Sequence, residues 1–160
     1  MKFFVLILKY HLKEFDAEFK HSFMSVARSF IFEYDDNTLF NIINENDFYN
    51  NNIYESLKDI IDNVEYLSLI NINDKILCNL DVYYKLIKCG NVDGSSAIIS
   101  YLTNLINDLN DLNYSLNDVI EYFDSVIEKE LKIELPVRKN SLNSVKIMTI
   151  HGSKGLEFSL

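Results

Sequence analysis

A string near the end of the sequence combines side chains that bind anions with glycines that expose the backbone. It contains, in order, Thr149, His151, Gly152, Lys154, Gly155 and Glu157. Hydroxyl, imidazole and ammonium groups donate hydrogen bonds to phosphate oxygens, and glycines let backbone N–H groups approach an anion closely. The residue types and their spacing therefore predict a turn that binds phosphate groups.

The element that must position this turn is the apolar segment 145–150, whose β-branched residues predict a short buried strand. Open α/β sheets bind ligands at the carboxyl ends of their strands, where this turn would lie. A strand needs neighbours to pair its backbone groups, and no segment upstream alternates as a strand does. We therefore expect the chain to be a fragment, or a gene remnant, of a longer protein.

The first 135 residues contain no proline and few glycines, and their apolar residues repeat mostly at helical spacing. This pattern predicts an all-α body. The apolar faces of its helices are, in chain order, Phe3, Leu6, Ile7 and Tyr10; Phe15, Phe19, Phe23 and Val26 in a helix of residues 15–29; Leu39, Phe40 and Ile43; Ile53, Leu57, Ile60, Ile61 and Val64; Leu77, Leu80, Tyr84 and Ile87; Ile98, Leu102, Leu105, Ile106 and Leu109; and Val119, Ile120, Phe123, Val126, Ile127 and Leu131.

Polar residues predict where these helices begin and end. Asp35 or Asp36 is expected to cap the third helix, and Gly90 to end the fifth. Ser115 precedes Asp118 by three residues, which predicts a capping box before the last helix. The Asn-rich segment 44–52 predicts polar turns.

Pro136, the only proline, stops the last helix. We predict a bundle-like helical subdomain at residues 1–135, a linker at 136–143, and at 144–160 a short β-strand stub of a truncated α/β domain. His11 and His21 lack a constellation of partners and are interpreted as structural. The pair 83–84, two tyrosines, is interpreted as core.

The charge of the chain is distributed unevenly. Residues 1–140 carry 13 Lys and Arg against 23 Asp and Glu, a net charge of −10, whereas residues 141–160 carry two against one. An acidic body binds nucleic acid poorly, because affinity for phosphates requires Lys and Arg. The window 136–155, with four basic residues and no acid, suits a phosphate-facing edge.

Two isolated cysteines, Cys78 and Cys89, argue against a disulfide framework or a zinc site and favour a cytoplasmic location. No apolar stretch approaches the ~20 residues of a membrane span, so no membrane partner is expected.

The string 149–158, T-I-H-G-S-K-G-L-E-F, closely resembles the fifth helicase motif of UvrD-like superfamily 1 DNA helicases, whose pattern is roughly T-[IL]-H-x-x-K-G-L-E-[FWY]. Every specified position of that pattern is matched. Residues 25–42 and 116–131 are similar to stretches upstream of the motif in the AddA and RecB-like branch. Phe30 stands where that branch usually has proline, and Glu33 where it often has glycine.

The resemblance implies that the chain covers an inserted helical subdomain and the edge of the second RecA-like half of such a helicase. Thr149 and His151, with backbone amides near Gly152, would contact phosphates of single-stranded DNA. ATP would be bound on the side of Lys154, Gly155 and Glu157. Glu157 would meet the ribose, and Lys154 would hold Glu157 by an ion pair. One turn would then touch both ligands, so closure on ATP could move the DNA contact.

Groups needed for ATP hydrolysis are missing from the sequence. It has no G-x-x-x-x-G-K-[ST] phosphate loop, no Asp-Glu pair in helicase context and no arginine-finger motif. We expect the chain alone neither to hydrolyse ATP nor to bind a cofactor tightly. For the intact protein the resemblance implies ATP and Mg²⁺ as cofactors, and as partners single-stranded DNA, the remaining helicase domains and a nuclease subunit. It also implies movement from 3′ to 5′ in DNA repair or recombination.

Two other functions remain open from the sequence. The chain could be a stand-alone acidic helical module that binds a protein through an exposed apolar face, with its C-terminal string a vestige or the whole an inactive gene remnant. It could also be an unrelated phosphate-binding enzyme that uses residues 152–155 as its loop. That loop lacks the Lys-Ser or Lys-Thr that opens a helix in phosphate loops.

Overall fold

The computed structural model of the chain describes residues 1–89 and 92–129, with the backbone alone at residues 92 and 93. The helices in these ranges are α1 (Lys2–Leu12), α2 (Ala17–Ala27), α3 (Asp36–Glu45), α4 (Asn52–Asn63), α5 (Leu69–Asn79), α6 (Val82–Lys88), α7 (Val92–Asp111) and α8 (Leu116–Glu128), and a 3-10 turn, Val64–Tyr66, follows α4. The described ranges contain no strand, which confirms a mainly helical fold there. The predicted linker 136–143, the edge 144–160, Gly90 and Leu131 lie outside them.

Helix α1 occupies the centre of the body, where it packs against α2, α4 and α8. Four consecutive residues of α1, Phe4, Val5, Leu6 and Ile7, are buried. A helix that is apolar on most of its circumference needs neighbours all round, and this explains its central position. Helices α5, α6 and α7 pack against one another beside it, and α5 also contacts α4.

A cluster of aromatic rings joins α1 and α2 to the segment before α4. Phe19 lies in its middle, with its ring centroid 4.9 Å from Tyr10 and 4.8 Å from Phe15. Phe48 approaches Phe19 to 4.9 Å and is fully buried. The prediction of polar turns across 44–52 is therefore wrong at Phe48, because this loop residue is drawn into the core by the surrounding rings.

Side-chain caps begin five of the helices. Asp16, Asp35, Asn51, Ser68 and Ser115 each accept a hydrogen bond from the backbone N–H three residues later. The predicted cap at Asp35 and the predicted capping box are both confirmed. These local contacts satisfy N–H groups that have no partner within the helix, which is why the sequence could reveal them.

The single helix predicted through Leu77, Leu80, Tyr84 and Ile87 is wrong. The chain breaks after Asn79 into α5 and α6, and Asp81 between them has a φ of 48°. The break changes the helical phase, so that Val82 and Leu86 are buried while Tyr84 and Ile87 are 61% and 59% exposed. Tyr83 is 50% exposed as well, which corrects its interpretation as a core residue.

Four other residues predicted to face inward are exposed, namely Phe40, Ile98, Leu102 and Ile127. Phe40 lies on the outer side of α3, whose buried residue is Leu39. Ile98 and Leu102 lie on α7 and Ile127 lies on α8, and all three line the groove described below. Helical spacing correctly predicts that α7 and α8 are helices. It could not show that part of each apolar face lies without a facing helix among the described residues.

Five non-glycine residues of the described ranges have a positive φ: Lys13, Glu33, Asn46, Asp81 and Asn113. Lys13 and Asn46 end α1 and α3 in the left-handed conformation. Such a residue turns the chain sharply and lets its backbone N–H bond to carbonyls of the last helical turn.

Candidate functional site

The residues predicted to bind DNA and ATP all lie in the part of the chain that the structure does not describe. They are Thr149, His151, Gly152, Lys154, Gly155 and Glu157. Their assigned roles remain predictions. The described residues instead offer one large apolar groove and one aromatic surface with basic neighbours.

The groove lies among α1, α5, α6, α7 and α8 and has a volume of about 560 Å³. Side chains from all five helices line it, together with two from the loop after α2: Met1, Phe3, Phe4, Phe30, Ile31, Asn73, Ile76, Leu77, Val82, Leu86, Ser95, Ile98, Ile99, Leu102, Ile106, Phe123, Val126 and Ile127. Ile98, Leu102 and Ile127 are 42%, 36% and 60% exposed. Large apolar side chains are thus open to solvent along the groove.

Polar groups contribute little to the lining of this groove. Among its lining residues in the described ranges, only Asn73 and Ser95 have polar side chains. The Asn73 amide donates a hydrogen bond of 3.3 Å to the Thr103 hydroxyl on α7, so it joins α5 to α7. Within the described residues the groove carries no titratable side chain, although the Met1 amino group lies at it, and its surface suits an apolar occupant.

The two ends of the helical body meet at this groove. Met1 and Phe3, at the start of α1, line it together with Val126 and Ile127, in the last turn of α8. The ammonium group of Met1 is buried there, and burial lowers its pKa from 8.0 to about 6, with Lys2 lowering it further and Asp124 raising it. A charged group at this position is therefore poorly solvated.

Two side chains of α1, those of Lys9 and Tyr10, have pKa values shifted by their structural contacts. The Lys9 ammonium donates to Asp16 at 2.7 Å and to Glu14 at 3.1 Å, and these carboxylates raise its pKa. Burial raises the pKa of Tyr10, whose hydroxyl donates to the Phe48 carbonyl at 2.8 Å. Neither side chain lines the groove, and both tie α1 to neighbouring segments.

Helix α6 presents the aromatic surface, with Tyr83, Tyr84 and Ile87 exposed. The Lys88 ammonium lies 4.9 Å from the centre of the Tyr84 ring. The Lys85 ammonium donates to the Ile31 carbonyl at 2.9 Å and lies 5.5 Å from the centre of the Phe32 ring. Sequence reasoning interpreted Tyr83 and Tyr84 as core and so missed this surface, although Lys85 and Lys88 follow them closely in the sequence.

The two histidines in the described ranges, His11 and His21, have partners at the surface. His11 lies 3.3 Å from a Glu65 carboxylate oxygen and His21 lies 3.5 Å from the Lys2 ammonium. Across residues 1–89 and 92–129, no cluster of three or more His, Cys, Asp or Glu could hold a metal ion. No helix of those ranges is long and apolar enough to cross a membrane.

The site is thus an open apolar groove on a mainly helical body, close to the point where the described chain ends. No protein-family model, curated protein or solved structure matches this chain.

Proposed function

We propose that this chain is part of a UvrD/AddA-like, ATP-dependent DNA helicase. It would comprise the inserted helical subdomain and the motif-bearing edge of the second RecA-like half. The observation that carries the proposal is the string 149–158, whose every specified residue fits the fifth helicase motif. In the intact enzyme, which would act in DNA repair or recombination, this part would orient DNA and couple the state of ATP to the contact with the single strand.

The arrangement of the helical body supports the proposal. The start of α1 and the end of α8 lie beside the same groove. A subdomain inserted into another domain must begin and end at neighbouring points, because the host domain continues on both sides of it.

The turn between α2 and α3 provides a second, independent support. Glu33, at the position where the AddA and RecB-like branch often has glycine, has a φ of 52°. Glycine adopts positive φ without the steric cost that other residues have there. The backbone at Glu33 therefore adopts a conformation that favours glycine, which is the residue that branch often has at this position.

Replacing Glu33 with glycine is expected to raise the free energy of unfolding by about 0.5 to 1 kcal/mol, since the relief of left-handed strain exceeds the added entropy of the unfolded chain. Chemical denaturation of the full chain would measure it. Glu45→Gly, at the right-handed end of α3, is the matched control and should destabilise by up to about 1 kcal/mol. Destabilisation by both substitutions would contradict the assignment of Glu33.

Binding to single-stranded DNA tests the helicase proposal directly. We expect the full chain to bind an oligonucleotide weakly, with an affinity that falls as salt rises. Lys154→Glu should weaken binding several-fold and reduce the slope of log affinity against log salt by about one. Lys58→Glu, the same charge change on an exposed residue of α4, should have little effect. Fluorescence anisotropy at several salt concentrations provides the measurement.

The alternative, a stand-alone acidic module that binds a protein, is favoured by the open apolar groove. Absence of DNA binding, together with protein association that is insensitive to salt, would support this alternative and contradict the helicase proposal.

A further inference from the structure

The apolar groove leaves large side chains open to solvent at its edge. Ile98 and Leu102 on α7 and Ile127 on α8 are all at least 36% exposed at its edge. An exposed apolar patch on a soluble protein often marks a site where another segment or protein binds. A segment of protein that covers the groove would remove this surface from water.

The chain itself leaves the described region at the edge of the groove. Ile127 lines it, and Lys129 is the last described residue. The apolar segment 145–150 begins sixteen residues later. At ~3.3 Å per residue the intervening chain can span roughly 50 Å, which is ample for a return to the groove beside which it starts.

Residues 145–150 have the apolar composition that an occupant of the groove requires. Four of its six residues are apolar, namely Val145, Ile147, Met148 and Ile150. The sequence predicts no other strand with which it could pair. The nearer apolar residues of the segment 131–135 alternate with Lys132 and Glu134 and follow Glu130, so they bring more acid to an already acidic surface.

Charge also favours residues 145–150 over residues 131–135 as the occupant of the groove. Residues 1–129 carry 10 Lys and Arg against 21 Asp and Glu, a net charge of −11, whereas residues 130–160 carry five against three, a net charge of +2. Helix α8, which contributes three side chains to the groove, also carries Glu121, Asp124 and Glu128. The basic residues around the apolar segment are Arg138, Lys139, Lys146 and Lys154.

We propose that the groove is the docking site for residues 145–150 of the same chain, held by apolar contact and by attraction between the basic flanks and the acidic body. The proposal concerns the 160-residue chain by itself. In the helicase proposed above, residues 145–150 would pair in a RecA-like sheet, so docking in the groove and pairing in that sheet exclude each other.

Amide hydrogen exchange of the full chain tests this docking. The amides of residues 145–150 should exchange at least tenfold more slowly than those of 137–143. Introducing lysine at the groove edge, as Ile98→Lys combined with Ile127→Lys, should remove the protection by adding charge and removing apolar contact. Both positions are exposed, so the body should remain folded, and the amides of α1 and α4 report on that in the same experiment. Phe40→Lys, at an exposed site away from the groove, is the matched control.

Three results would overturn the proposal. The first is unprotected exchange of 145–150 in the unaltered chain. The second is protection that the two lysines leave unchanged. The third is protection that disappears on dilution, which would assign the groove to a second copy of the chain. DNA binding is a separate measurement, so failure of this proposal and failure of the helicase proposal can be told apart.

Discussion

Replacing Phe19 with alanine is expected to lower the free energy of unfolding by about 3 to 5 kcal/mol. The Phe19 ring is fully buried and its neighbours come from α1, α2 and the loop before α4. Removing it leaves a cavity that the surrounding rings of Tyr10, Phe15 and Phe48 cannot fill without moving α1. The loss is a large fraction of the ~5 to 15 kcal/mol that stabilises a typical domain.

Phe40→Ala is the matched control, because it makes the same chemical change at a residue that is 65% exposed. Its effect should stay within about 0.5 kcal/mol. Urea denaturation followed by circular dichroism gives both values. Equal losses for the two variants would show that the aromatic cluster does not form the core described above.

The stability of the 160-residue chain with a free amino terminus is expected to rise with pH between about 6 and 8. Burial lowers the pKa of the Met1 ammonium from 8.0 to about 6. Within that window the unfolded chain binds more protons than the folded chain, so raising the pH favours the folded state. The difference of about two pKa units corresponds to roughly 2 to 3 kcal/mol, which is present in full above pH 8 and lost below pH 6.

Acetylation of the amino terminus isolates this effect, since it removes the titrating group. Unfolding free energies of the free and acetylated chains should be measured at pH 6, 7 and 8. The free chain should gain stability relative to the acetylated chain as the pH rises. A constant difference across the series would mean that the Met1 amino group is solvated in the folded protein, away from the groove.

Sequence could reveal those features of the fold that depend on local interactions. The helix containing Phe19 and Phe23 follows from apolar spacing alone, and the caps at Asp35 and Ser115 follow from side chains that bond within three residues. The prediction that Tyr84 is buried is wrong because the break at Asp81 shifts the helical phase. The spacing of apolar residues did not indicate that break.

The two candidate sites, the string 149–158 and the apolar groove, also differ in how far they depend on local sequence. The string 149–158 is contiguous, so the sequence suffices to compare it with a known motif. The groove gathers side chains from five helices and could not be assembled before their packing was known. Ile98 and Ile127 were recognised as parts of apolar faces, but spacing could not distinguish a face that meets another helix from one that stays open.

The left-handed turns have a consequence for the thermal stability that the fold can reach. Lys13, Glu33, Asn46, Asp81 and Asn113 have positive φ, where a side chain larger than hydrogen has a steric cost. That cost is smallest for Asn and Asp, which tolerate the left-handed region best after glycine. Lys13 and Glu33 are therefore the two turns at which a change of residue leaves the most room for thermal stabilisation.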